Sequence, residues 1–121
     1  MEVSEIHATL KSLLQGHHPA LVVSKDLATN FEVSGTKEVM QGKKKVDGAY
    51  FANIIPILID VRLYFFSIYT FPDECSLSPK LQKALKGKSC FHIKKLDDEL
   101  TSEIKDMIAK GVEIYKEKGW V

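Results

Sequence analysis

The chain has 121 residues, 45% of them hydrophobic and 27% charged, and seventeen basic against sixteen acidic side chains leave a formal net charge of +1. That length holds one sizeable core and not two, so residues 1–121 read as a single domain of ordinary globular composition. The charge balance argues against a nucleic-acid-binding protein, which carries a basic surplus on one face.

Cysteine and hydropathy usage narrow the class further. Cys75 and Cys90 are too few for a disulfide framework, and they form no Cys-x-x-Cys pair. Met1-Glu2-Val3-Ser4-Glu5 is acidic where a secretory leader is basic. The most apolar stretch, Ile54 to Phe66, is broken by Pro56, Asp60 and Arg62, and no run reaches the ~18 residues of a membrane span. The expectation is a cytoplasmic protein with no membrane partner.

In chain order, Val3, Ile6, Leu10, Leu13 and Leu14 share one face of a helix that Gly16 stops. Ala20 to Ser24 reads as a first strand, and the alternation of Phe31 and Val33 with Glu32 and Ser34 as a second. A weaker strand includes Val39, and Gln41 to Gly48 reads as a basic loop between two glycines. Ala49 to Ile55 and Val61 to Thr70, rich in Tyr, Phe, Ile and Val, predict a long hairpin. Its tip, Ile57-Leu58-Ile59, is apolar where turns are polar, so either the strands run longer or the tip serves docking or dimerisation, the second being preferred. Ser78-Pro79 starts a short helix that Gly87 closes as its C′ glycine. A strand from Ser89 to Lys94 precedes a last helix, with Asp97, Asp98 and Glu99 at its start and Leu100, Ile104, Met107, Ile108, Gly111 and Tyr115 along one face. This order predicts an α+β fold: an antiparallel sheet of about five strands with the N- and C-terminal helices packed on one face.

With helices on one face only, the other is left for a ligand or a partner chain. Arg62, Tyr64 and Phe66 share that second face in one strand, and Cys90 and His92 in another. Lys88, Lys94 and Lys95 stand near Cys90 in sequence, and positive charge lowers a thiol pKa. Against a metal site, Cys90 and His92 are only two ligands, and Cys75, His7, His17 and His18 lack ligand spacing. Against nucleophilic catalysis, no orienting third group or oxyanion hole can be read. A half-buried packing cysteine accounts for Cys90 without either. Lys43, Lys44 and Lys45 suit a solvated hairpin loop as well as a phosphate contact. Lys86-Gly87-Lys88-Ser89 lacks the first glycine of a phosphate-binding loop and precedes a strand, not a helix. The carboxylates Asp97, Asp98, Glu99, Glu103 and Asp106 serve as helix caps and a solvated face, with weak iron or calcium binding as the other reading.

Leu77-Ser78-Pro79 through Lys86-Gly87-Lys88-Ser89-Cys90-Phe91-His92-Ile93-Lys94-Lys95, followed by a long helix, resembles the YdhG-like domains of unknown function. Ala49-Tyr50-Phe51-Ala52 and Tyr64-Phe65-Phe66-Ser67-Ile68-Tyr69 resemble that family's central hairpin, and the likeness spans roughly residues 45–121. It departs at Ile57-Leu58-Ile59, where a lysine is common, and at His92, where the strand more often has Asn. The resemblance implies terminal helices on one face of an antiparallel sheet, similar in shape to secretion chaperones and frataxin, and some relatives are linked to iron handling. It places no iron ligands.

The leading expectation is a non-enzymatic binding or chaperone-like module that forms a homodimer. Tyr64, Phe66, Cys90, His92 and Lys88 are its ligand or interface candidates; no cofactor is assigned, and a small molecule or another protein is the further class of partner. The alternative is a frataxin-like iron protein or a thiol-redox protein using Cys90 and His92 or the acidic start of the last helix.

Overall fold

The structure, a computed structural model, describes residues 2–121. Helix α1 (Val3–Gln15) leads into strands β1 (Val22–Leu27) and β2 (Asn30–Ser34). A small ribbon of β3 (Val39–Gln41) and β4 (Lys44–Val46) follows, then β5 (Tyr50–Pro56) and β6 (Val61–Phe65). The chain continues through α2 (Phe66–Thr70), a 3-10 turn (Pro72–Glu74) and α3 (Pro79–Ala84) to β7 (Cys90–Ile93) and α4 (Asp98–Glu117). Five strands form one antiparallel sheet in the order β1-β2-β5-β6-β7, with β3 and β4 paired apart from it. The fold is therefore α+β, as the element order predicts. No described helix is long and apolar enough to cross a membrane.

Strand alternation decides where the core lies. Phe31 and Val33 of β2, Ala52 and Ile54 of β5, Val61, Leu63 and Phe65 of β6, and Phe91 and Ile93 of β7 are all buried. They pack in one cluster with Ile6, Leu10 and Leu14 of α1 and Ile104, Ile108, Val112 and Tyr115 of α4. Both terminal helices thus cover the same face. Burial of a side chain of this size contributes about 1.5–3 kcal/mol.

Local chemistry sets the helix ends and the close approach of α4. The Asp97 carboxylate accepts the Leu100 N–H at 2.7 Å, and Asp98 and Glu99 add negative charge in the first turn. Gly111 lies where α4 meets the sheet: a Cβ there would stand 2.6 Å from Phe65 Cζ and 3.1 Å from Phe51 Cζ. The phenol of Tyr115 donates to the Tyr50 carbonyl, tying α4 to β5.

Several expected boundaries move. The first strand runs Val22–Leu27 and not Ala20 to Ser24, and the basic loop is the β3–β4 ribbon, with Lys44 and Lys45 in a strand. The strand expected from Val61 to Thr70 ends at Phe65, and residues 66–70 form α2. Their β-rich composition is overridden by packing: Ile68, which a continued strand would turn to the open face, is buried in α2. Gly87 is not the C′ residue of α3, whose capping N–H is Leu85 to the Leu81 carbonyl. Its φ of +90° belongs to the turn closed by the Lys86 N–H and the Cys90 carbonyl at 2.8 Å.

Candidate functional site

The face of the sheet away from the helices is crossed by one register row. Lys25 lies opposite Glu32, Glu32 opposite Asn53, Asn53 opposite Tyr64, and Tyr64 opposite Cys90. In the next row Ile55 lies opposite Arg62, and Arg62 opposite His92. Asn53, Ile55, Arg62, Tyr64, Cys90 and His92 are all only half-buried, so no described element packs over them. Sequence alternation correctly unites Tyr64, Cys90 and His92 here.

The two halves of this face differ. On the β1–β2–β5 side the polar groups satisfy one another. Ser24 Oγ donates to Glu32 at 2.8 Å, Asn53 Nδ2 donates to Asn30 Oδ1 at 3.0 Å, and the Tyr50 phenol donates to Asn53. Burial, with Glu32 nearby, pushes the Tyr50 phenol well above its ordinary range. On the β6–β7 side the one strong bond is from Arg62 Nε to Asp60 at 2.9 Å. Asp60, 1% exposed, sits at the hairpin tip with its other oxygen 3.9 Å from His92 Nδ1. Asp60 is not among the candidates that the sequence offers, and a carboxylate inside an otherwise apolar run is its one signal; strand alternation places Arg62 on this face but does not mark it as the partner of Asp60.

Cys90 is half-buried, as a packing cysteine is, and not poised as a reactive one. Burial raises its thiol pKa, against an opposing pull from the Tyr64 hydroxyl and Arg62, and the nearby lysines do not reverse this. A hydrogen bond with Cys90 in turn raises the Tyr64 phenol. The pair is a neutral thiol beside a neutral phenol at pH 7, a weak donor set and not an activated nucleophile.

Phe66 does not continue the strand beside Tyr64. Opening α2, its ring stands 5.4 Å from the Tyr50 ring and 5.6 Å from the Tyr69 ring. It lines a groove of about 880 Å³ between α2, the 3-10 turn, α3 and the turn after α3. Lys88 lines the same groove, with Nζ 5.9 Å from the Tyr69 ring centroid. The five candidates therefore fall into two places: Tyr64, Cys90 and His92 on the open sheet, Phe66 and Lys88 in the groove. Phe66 sits where the two meet.

The remaining chemical groups stay apart. Among the described residues, no three His, Cys, Asp or Glu side chains come close enough to hold a metal ion. Asp97 and Glu99 are both paired with Lys80, at 3.1 and 3.3 Å. Lys45 is paired with Glu38 at 2.7 Å. Burial lowers the pKa of both His7 and His17, which favours their neutral forms.

Edge strand β1 is bulged between Val23 and Lys25 and carries the charges of Lys25 and Asp26. At the other edge β7 is short, and Leu85 bridges to Phe91 on its outer side. Beside the open face the β5–β6 tip projects Leu58, 94% exposed, and Ile59, 64% exposed. Comparison of the chain with models of protein families, with curated proteins and with solved structures finds no match.

Proposed function

We propose that this chain is a small non-enzymatic binding module that pairs with a second copy of itself through the β6–β7 half of its open sheet face. The observation that carries the reading is the uncovered group Arg62, Tyr64, Cys90 and His92, with the apolar tip Leu58-Ile59 beside it. Edge-to-edge pairing is blocked at β1 and impeded at β7, so face-to-face contact is the available mode. A two-fold axis between β6 and β7 sets each of these strands over the other strand of the second copy, bringing Tyr64 toward Cys90.

Sedimentation velocity across the micromolar range tests this. The wild type is expected to shift from monomer to dimer with concentration. Tyr64→Asp should remain monomeric with an unchanged far-UV spectrum and cooperative unfolding. A wild type that stays monomeric at every concentration overturns the self-pairing.

A further inference from the structure

The groove behind Phe66 is chemically unlike the open sheet. Ile68, Leu77 and Leu85 give it aliphatic walls, and Phe66 and Tyr69 give it aromatic ones. Cys75 adds a thiol that burial, with Glu74 beside it, holds in the neutral form. Its volume of about 880 Å³ is within the ~300–1,000 Å³ of small-molecule sites. Lys88 is the one charged lining residue, and no described carboxylate lies within ion-pair distance of it. Gly42 brings the β3–β4 ribbon to the rim. The nearby Glu74 is engaged by Lys118 at 3.2 Å.

From this juxtaposition we infer that the groove binds a small apolar monocarboxylate, its hydrocarbon body against Phe66, Leu77 and Leu85 and its carboxylate on Lys88. An apolar cleft with an unpaired cation at its mouth complements a molecule of that form. A lone lysine is a compact point charge and suits a monoanion. Bidentate recognition of a phosphate calls for an arginine fork, and the lining has no arginine. A cation, which the aromatic rings alone could attract, is opposed by Lys88.

Dodecanoate below its micellar concentration is the probe, titrated by calorimetry into the whole chain, with dodecyltrimethylammonium as the charge-reversed control. Dodecanoate is expected to bind one per chain, and the ammonium not to saturate. Lys88→Glu, at an exposed position, should weaken dodecanoate about tenfold. Gln82→Trp, at an exposed position on the groove wall, should obstruct it. Backbone amide shifts should cluster at residues 66–88, and Tyr64→Asp should leave binding intact, which separates this site from the pairing face. The inference is overturned if dodecanoate does not saturate, if the ammonium binds equally well, or if Lys88→Glu binds like the wild type. Amide shifts centred on Tyr64 and His92 would overturn it as well.

Discussion

The two faces of the five-stranded sheet are made by alternate residues of the same strands, yet they serve different ends. Leu63 and Phe65 of β6 and Phe91 of β7 are fully buried under α1 and α4, whereas Arg62, Tyr64 and His92, one position away, are half-exposed. On the covered face nearly all the free energy comes from apolar burial and close fit. On the open face it comes from hydrogen bonds that each contribute little, and from Arg62, whose loss would strand the buried Asp60 carboxylate. Apart from Arg62, a side chain on the open face can therefore be spent on recognition without loss of the fold.

Truncation on the two faces tests that contrast most strongly. Phe91→Ala should cost about 3–5 kcal/mol, because it empties a fully buried ring site. Tyr64→Ala, its diagonal neighbour on the other face, should stay within about 1 kcal/mol. Urea unfolding of both variants measures the difference, and equal losses would break the comparison.

A smaller effect sharpens the account of the covered face. Gly111→Ala should destabilise by about 1–3 kcal/mol, since the new methyl meets the Phe65 and Phe51 rings. Ala is the better helix former, so a stabilised variant in the same unfolding assay would show that α4 can slide away from the sheet.

The smallest effect concerns pH. The Leu100 N–H, and then Lys80, hold the Asp97 carboxyl below its ordinary range. A lowered carboxylate pKa contributes stability that is fully present above the unfolded-state value and is lost as pH falls through the folded-state one. Asp97→Asn should therefore narrow the difference in unfolding midpoint between neutral and acid pH, most visibly below about pH 4. An unchanged acid limb would show that this cap is not titrating.

The five-stranded α+β architecture and the second face were legible from side-chain periodicity. Alternation along β2, β6 and β7 names the buried and open residues directly, and the apolar stripe of α4 finds its buried side. Capping at the helix N-termini was equally legible, unlike the C′ role expected of Gly87: Ser78 accepts the Leu81 N–H at 3.2 Å, and Asp97 caps α4. These features depend on neighbours within a few residues, so the chain determines them on its own. The turn of residues 66–70 out of the sheet was not legible, because burial of Ile68 in α2 outweighs the strand propensity of the segment. Nor was the burial of Asp60, which needs Arg62 and His92 from two adjacent strands, or the groove that joins Phe66, Cys75 and Lys88. Those arrangements bring together residues from separate elements, and only the tertiary structure decides which unpaired charge faces which apolar wall.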